Sequence, residues 1–198
     1  LSNTSVNSIE IGFRKPINTN IGSGQKGLKK IGNFLTSKEN IIRNLQISKD
    51  KTLAVMIDLS DYIGKNNFSY LKKNFQNSNF SKVKLVRIAC NYNDKLSLPI
   101  VIRYLKSKNY KVAANLMKFT ILSDKEIYSF FKIAISSGAD YLYLADSFGS
   151  CLPSQINKIS NNLRTKGIDL NKLGFHSHDN TGYALKNTVA AIRNGFGI

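Results

Sequence analysis

Short apolar runs alternate with longer amphipathic segments along the whole chain. Each run is five to eight residues long, the length of a β-strand that is buried on both faces. The segments between the runs are long enough for one helix each. The pattern predicts six strands, at Ser8–Phe13, Leu53–Asp58, Val83–Cys90, Lys111–Met117, Tyr141–Ala145 and Leu173–His178.

The intervening segments carry helical periodicity and helix-capping residues. The clearest helix begins after Ser123, with Glu126 completing a capping box, and ends at Gly138. Its apolar stripe consists of Ile127, Phe130, Phe131, Ala134 and Ile135. The other predicted helices run from a cap at Thr36 or Ser37 to about Ile47, from Phe68 to Phe75, from Leu96 to Ser107, from Pro153 to Arg164 and from Tyr183 to Arg193.

Strict alternation of strands and helices predicts an α/β fold with an all-parallel sheet. A (β/α)8 barrel and an open doubly wound sheet both fit this order. A dinucleotide-binding sheet needs a Gly-rich turn directly after a strand, whereas the Gly-x-Gly-x-x-Gly run at Gly22–Gly27 lies inside a polar stretch, Lys15–Gly32. This run therefore favours a flexible loop, and six βα units favour most of a barrel, which usually needs about 250 residues.

The two ends of the sequence favour an incomplete barrel. The sequence begins at Leu1 instead of methionine, and it ends at Gly195–Ile198, where a further strand is expected after the last helix. We therefore expect residues 1–198 to form one incomplete barrel domain. Such a fragment leaves strand edges open, so we expect it to fold poorly or to associate.

The composition is that of an ordinary globular protein, since 42% of the residues are hydrophobic and 21% are charged. No apolar run approaches the ~20 residues of a membrane span, and the first residues lack the pattern of a signal peptide. Two isolated cysteines, Cys90 and Cys151, exclude a disulfide framework. A cytoplasmic location is therefore expected.

Net charge is the one unusual property, because 29 basic and 12 acidic residues give +17. A polyanion partner such as nucleic acid, and a drift toward lysine typical of an AT-rich genome, both account for such an excess. The lysines are scattered singly or in pairs, without a block of five like charges. This distribution favours drift, so we do not expect a nucleic-acid partner.

The only two histidines, His176 and His178, lie two residues apart near the end of the last predicted strand. Residues at this spacing in a strand face the same side, and in a barrel the C-terminal strand ends carry the active site. Two imidazoles on one face can chelate a divalent metal, with oxygen ligands completing its shell. A lone histidine is usually structural, but this pair favours metal binding.

A second polar cluster follows the preceding strand, where Asp146 and Ser147 would lie at the same barrel mouth. A hydroxyl group and loop N–H groups suit a carboxylate or a phosphate. An aspartate that only caps the following turn fits equally well. Cys151 is expected to be a packing residue, because nothing near it marks an activated thiolate.

The segment Asp146–Ser150 (DSFGS), followed by Gly174–Gly182 (GFHSHDNTG), resembles the metal-dependent pyruvate-type aldolase and acyltransferase barrels. This superfamily is hydroxymethylglutaryl-CoA lyase-like, and DSFGS is most similar to its 4-hydroxy-2-oxovalerate aldolase branch. Ser8–Arg14 (SIEIGFR) resembles the second strand of these barrels. The resemblance spans Ile9–Gly195 and implies a partial TIM barrel, with strands two to seven present and the first and eighth missing.

The resemblance also implies roles for single residues in a catalytic domain. The family's third metal ligand is an aspartate in an Arg-Asp-Gly motif, which this chain lacks. A fragment and a degenerate, inactive homologue both fit that absence. The matching positions are His176 and His178 as metal ligands, Ser147 for the substrate carboxylate, Glu10 near the metal, and Arg87 and Asn115 in strands that face the same mouth.

The activity implied by the resemblance is that of a divalent-metal-dependent aldolase acting on a 4-hydroxy-2-oxo acid. The metal would be Mn²⁺ or Mg²⁺, with Zn²⁺ as a further option, and would stabilise a pyruvate enolate as a Lewis acid. Asp179 or Asn180 would fix the histidine tautomers.

Two other functions remain open at this stage. A Claisen-type acyltransferase that uses acetyl-CoA and a 2-oxo acid would belong to the synthase branch of the same superfamily. A basic nucleic-acid-binding module would lose affinity steeply with salt. The sequence does not identify the general base or the aldehyde, and it leaves open a homo-oligomer or a partner dehydrogenase.

Overall fold

The computed structural model describes residues 4–16, 32–64 and 67–198, so the Gly22–Gly27 run lies outside the described residues. The described chain contains a six-stranded sheet. The strands agree with prediction, except that the second begins one residue earlier and the last ends two residues earlier. Their bounds are Ser8–Phe13 (β1), Thr52–Asp58 (β2), Val83–Cys90 (β3), Lys111–Met117 (β4), Tyr141–Ala145 (β5) and Leu173–His176 (β6).

All six strands are parallel and lie side by side in the order β1-β2-β3-β4-β5-β6. A doubly wound sheet changes direction in its strand order, and this sheet does not. Sequential parallel strands joined by helices are the wall of a (β/α) barrel. The expected partial barrel is therefore confirmed at this level. The equivalence of these strands with numbers two to seven stays a prediction.

One α-helix follows each strand of the described chain. The bounds of the helices are Glu39–Ile42 (α1), Asn67–Asn74 (α2), Leu98–Ser107 (α3), Asp124–Ser136 (α4), Pro153–Thr165 (α5) and Ala184–Arg193 (α6). The helices α2 to α6 lie within a few residues of their predicted positions, whereas α1 is much shorter than predicted.

The prediction of a long helix to about Ile47, capped by Thr36 or Ser37, is wrong. Ser37 is fully buried with a φ of +37°, and Lys38 precedes the helix instead. Beyond Ile42, the ammonium of Lys82 donates to the carbonyls of residues 43 and 45 at 2.7 and 2.8 Å. These carbonyls are therefore held by a distant side chain instead of by a continuing helical turn.

The capping box of α4 is confirmed, since the Ser123 Oγ accepts from the Glu126 N–H and the Glu126 carboxylate accepts from the Ser123 N–H. Four of the five predicted stripe residues are buried. Ile135 is the exception, being 48% exposed. The stripe is therefore one residue narrower than the sequence pattern predicts.

The sheet separates two apolar clusters. The larger one fills the space between the outer face of the sheet and the helices. The smaller one lies on the inner face and consists of Ala54, Leu85 and Ala113, with Tyr141 and Tyr143 packed against it. Small residues on β2 and β4 leave room inside the barrel wall, so the larger side chains of β5 fill that space.

None of the helices among the described residues is long and apolar enough to cross a membrane.

Candidate active site at the C-terminal ends of the strands

The predicted site residues lie on the inner face of the sheet or directly after its strands. Residues two apart in a strand share a face, so Arg87 faces inward with Leu85, and Asn115 with Ala113. Glu10 is the register partner of Ala54 and shares its face. His176 is the last residue of β6, and Ser147 and His178 follow β5 and β6.

The two histidines lie side by side, with ring centroids 4.9 Å apart. The Nδ1 of His178 lies 2.7 Å from the carbonyl oxygen of Asp146. Because a carbonyl only accepts, Nδ1 carries the proton of the neutral ring and Nε2 keeps its lone pair. His178 is therefore held in the tautomer that presents Nε2 as a metal ligand.

The expected tautomer-fixing residues, Asp179 and Asn180, have other partners. The Asp179 carboxylate accepts from the N–H of Ala184 at 2.9 Å, at the start of α6. The Asn180 amide donates to the carbonyl of Phe148 at 2.9 Å. A backbone carbonyl of the neighbouring loop takes the role that the sequence assigned to a side chain.

His176 is held in its neutral form by its surroundings. Burial lowers the pKa of His176 below its usual value, and the positive charge of Arg87 and the His178 ring lower it further. A metal binds the neutral imidazole, so a lowered pKa reduces the competition from protons. The lowered pKa of His176 therefore favours metal binding by that ring.

A divalent metal fits the histidine pair as two of its ligands. Within residues 4–16, 32–64 and 67–198, no group of three His, Cys, Asp or Glu side chains converges. The donor set of the described chain is therefore two imidazole nitrogens. Further ligands would be water, substrate oxygens or groups from outside these residues, which agrees with the missing Arg-Asp-Gly motif.

Arg87 is ion-paired and stacked inside the barrel wall. Its Nη1 lies 2.8 Å from the Glu10 carboxylate, and its guanidinium carbon lies 4.3 Å above the centre of the Tyr143 ring. Among the described residues, neither the Nε of Arg87 nor the Oδ1 of Asn115 has a hydrogen-bond partner, although both atoms are buried. Both side chains therefore have unused hydrogen-bonding capacity on the inner face of the sheet.

Sequence reasoning missed Tyr143. A Cβ built on Gly174 would lie 2.6 Å from the Cζ of Tyr143, so the tyrosine ring lies across the glycine of the next strand. Burial raises the pKa of the Tyr143 phenol, which therefore stays protonated. A glycine inside a strand often marks such a close approach, and Gly174 was the available signal.

Ser147 lies where a hydroxyl can serve as a donor. Its Oγ accepts the backbone N–H of Lys118 at 3.0 Å, and none of the described residues accepts the Ser147 hydroxyl proton. The carboxylate of Asp146 instead accepts the N–H groups of Ser150 and Cys151, at 3.2 and 3.0 Å. The capping interpretation of Asp146 is therefore confirmed.

The loops at residues 146–152 and 177–183, here called the loop pair, are joined by several hydrogen bonds. Besides the bonds of His178 and Asn180, Thr181 Oγ1 donates to the carbonyl of Gly149 at 2.7 Å. Asn187 of α6, which is fully buried, donates to the carbonyl of Cys151 at 2.7 Å. The two sequence motifs therefore form one hydrogen-bonded unit.

The cysteines have the environment of packing residues. Both Cys90 and Cys151 are buried and free. Burial raises the pKa of each thiol to about 12. The expectation that Cys151 is not an activated thiolate agrees with this shift.

Comparison with known proteins gives the same family along the whole chain. The HMGL-like family matches residues 1–198. A 4-hydroxy-2-oxovalerate aldolase of Geobacillus genomosp. 3 is 31% identical over 124 residues, which are 63% of this chain and 36% of the relative. A 4-hydroxy-2-oxovalerate aldolase of Pseudomonas putida is 34% identical over 80 residues, which are 40% of this chain and 23% of the relative. The matched part thus spans about a third of these relatives or less.

Solved structures show the same fold at low identity. The N-terminal domain of a candidate aldolase from Bacteroides vulgatus has a TM-score of 0.72 at 20% identity, covering 97% of this chain and 59% of that one. An HMG-CoA lyase of Bacillus subtilis has a TM-score of 0.63 at 16% identity, covering 83% and 57%. At such identities these structures support the fold alone.

Proposed function

Because the chain belongs to the HMGL-like family, we propose that residues 1–198 form an incomplete barrel catalytic domain of a metal-dependent aldolase. Its substrate is a 4-hydroxy-2-oxo acid, which it cleaves to pyruvate and an aldehyde. The similarity to 4-hydroxy-2-oxovalerate aldolases supports this substrate class. The correspondence of β1 to β6 with strands two to seven of a complete barrel is part of the same proposal.

The single observation that carries the proposal is the placement of the histidine pair beside Ser147. His176 and His178 offer two nitrogen ligands at the end of β6, and Ser147 offers a hydroxyl donor after β5. The two strands are neighbours. A 2-oxo acid carries adjacent keto and carboxylate groups, so one such molecule can face the metal ligands and Ser147 together.

Each residue then has a defined task. His176 and His178 would hold the cation, which when bound supplies Lewis-acid stabilisation of negative charge on the substrate oxygens. Ser147 would donate a hydrogen bond from its hydroxyl group to the substrate carboxylate. Arg87 and Asn115, which share the inner face of the sheet with Leu85 and Ala113, would contact polar substrate atoms. Glu10 would keep Arg87 in place through their ion pair.

Cleavage breaks the C3–C4 bond after a base removes the proton of the 4-hydroxyl group. The bonding electrons move toward the 2-oxo oxygen, and a proton later returns to C3. Neither histidine can accept the hydroxyl proton while its lone pair holds a metal. The base is therefore a group other than the chain's two histidines.

Metal binding is the first test. Isothermal titration with Mn²⁺ should show one site in the chain, and His176→Ala and His178→Ala should each weaken it at least tenfold. Lys132→Ala on exposed α4 surface is the matched control and should leave the affinity unchanged. If both histidine variants bound Mn²⁺ as tightly as the parent chain does, the proposed metal site would be wrong.

Turnover is the second test. With Mn²⁺, 4-hydroxy-2-oxovalerate should release pyruvate, which lactate dehydrogenase and NADH report. Thiol release from acetyl-CoA mixed with a 2-oxo acid would instead assign the chain to the acyltransferase branch. Binding that weakens steeply with salt on a nucleic acid would indicate the basic binding module.

The assembly of the protein is a proposal too. A homo-oligomer or a partner dehydrogenase that takes up the aldehyde would fit an enzyme of this class. Light scattering of the purified protein would show whether it forms a homo-oligomer.

A further inference from the structure

Lys118 lies in an unusual backbone conformation at the mouth of the site. It follows β4 with φ +56° and ψ +35°, a left-handed conformation that residues other than glycine and asparagine rarely adopt. Strained conformations of this kind persist where the surrounding structure holds them, often at functional sites. The strain of Lys118 therefore needs a local explanation.

The same residue makes a hydrogen bond to Ser147. The Lys118 N–H donates to the Ser147 Oγ at 3.0 Å across the gap between the ends of β4 and β5. A serine hydroxyl has two acceptor positions and one proton. When an N–H group occupies one acceptor position, the hydroxyl can rotate less freely, and its proton remains available for a ligand.

We propose that Lys118 is a positioning residue, whose left-handed backbone fixes the Ser147 hydroxyl as a donor to the carboxylate of the 2-oxo acid. The assignment rests on the proposed function. The proposed role belongs to the backbone N–H and not to the ammonium group, because the Lys118 side chain is exposed and lines a cavity of about 390 Å³ with Asn91, Met117 and Ile121.

A substitution can therefore separate backbone from side chain. Lys118→Val disfavours the left-handed conformation, because β-branched residues rarely adopt it, and the backbone shift that relieves the strain should move the 117–118 peptide and its N–H away from Ser147. Lys118→Gly removes the ammonium but tolerates the conformation, so it should behave as the parent chain does. Ser147→Ala removes the hydroxyl on which Lys118 acts.

The measurement is the Kd of pyruvate at saturating Mn²⁺, with the Kd of Mn²⁺ itself as the reference for an intact site. Losing one neutral hydrogen bond should raise the pyruvate Kd of Lys118→Val roughly fivefold. Lys118→Gly should keep the pyruvate Kd of the parent chain, and the Mn²⁺ affinity should stay constant in all variants. A purely structural defect would change the Mn²⁺ affinity as well.

The double variant decides whether Lys118 acts through Ser147. In the Ser147→Ala background, Lys118→Val should have no further effect on the pyruvate Kd, so the two losses are not additive. Independent, additive losses, or an unchanged Kd in Lys118→Val alone, would overturn the proposal. If Lys118→Val does not fold, replacing the 117–118 peptide bond by an ester removes the same N–H, with the same expected loss.

Failure of the proposed function would appear earlier and separately. In that case the parent chain binds Mn²⁺ but no pyruvate, and the positioning role of Lys118 fails with it. If the parent binds pyruvate and only the coupling is missing, the proposed function stands and the role of Lys118 is wrong.

Discussion

The ring of Tyr143 connects two residues that are far apart in the sequence, Arg87 and Gly174. The ring contacts the guanidinium of Arg87 and lies against the glycine of the next strand. A change at either residue therefore acts on the position of the ring. At the scale of single residues, the inner wall of the barrel depends on this contact.

A methyl group at residue 174 should lower the free energy of unfolding. Gly174→Ala places its Cβ against the Tyr143 ring, and overpacking of this kind costs about 1–3 kcal/mol. Urea unfolding should show that loss, and Gly32→Ala, where nothing lies within 4 Å, should show almost none. In a Tyr143→Ala background the penalty of Gly174→Ala should disappear; an unchanged penalty would mean that another contact causes it.

The two thiols should be unreactive in the folded protein. With a pKa of about 12, compared with about 8.5 for a free thiol, only roughly one thiol in 10⁴ is ionised at pH 8. Reaction with Ellman's reagent should therefore be slow in buffer and should reach two thiols per chain in guanidinium. Rapid native labelling of either cysteine would contradict the buried environment, and raising the pH should accelerate the native reaction.

Arg14 joins secondary-structure elements behind the sheet. It follows β1, is 3% exposed, and bonds to the Glu39 carboxylate of α1 at 2.9 Å. It also donates to the carbonyls of Ser37 and Asn74, at 3.2 and 3.3 Å, and stacks on Phe75. One side chain thus connects β1, α1 and the end of α2.

Removing the charge of Arg14 should destabilise the fold strongly. Arg14→Met removes the ion pair of the Glu39 carboxylate, whose side chain is 34% exposed, and the hydrogen bonds to two carbonyls, so the loss should be about 2–3 kcal/mol, below the cost of breaking a fully buried pair. Chemical denaturation should show this loss, against little change in Lys132→Met on exposed surface. Adding Glu39→Leu should recover part of the stability; a further loss would show that the hydroxyl of Ser81, which donates to the same carboxylate at 2.8 Å, is the more important partner.

The elements that sequence patterns predicted well are those fixed by local signals. The strands β1, β3, β4 and β5 have their predicted bounds, because each is a short run rich in apolar residues between polar segments. The end of α1 depends on Lys82, and the end of β6 depends on the turn of His178 toward Asp146. Both depend on partners more than 30 positions away, which periodicity does not encode.

The same limit applies to the candidate site. His176, His178 and Ser147 could be selected because their residue types and spacing are informative by themselves. Tyr143 could be found only through Gly174, a glycine that marks a close approach, and Lys118 gave no signal because it acts through its backbone N–H. The role of Asn115 was expected only from its place in β4, and it stays a prediction.

At the scale of the whole molecule, two exposed features favour self-association. β1 and β6 each have a strand partner on one side only within the described chain. The outer face of α6 exposes Leu185 and Ile192, which are 76% and 63% accessible. Open parallel edges and apolar surface of this kind promote contacts between molecules.

The purified 198-residue chain should therefore self-associate. Sedimentation velocity should show a mass that rises with concentration, and Leu185→Lys with Ile192→Lys should reduce it. Leu96→Lys, at a residue that is 79% exposed but precedes α3, is the matched control and should have little effect. A monomer with a sharp, reversible melting transition at every concentration would contradict the prediction.

The hydrogen bonds of the loop pair have a consequence for recombination between related genes. Asp146 with His178, Phe148 with Asn180, and Gly149 with Thr181 are each separated by 32 positions. A crossover between their codons brings together loops from two different parents. Chimeras with breakpoints inside α5 should therefore lose function more often than chimeras that inherit residues 146–183 from one parent, so this stretch should behave as a single unit of inheritance.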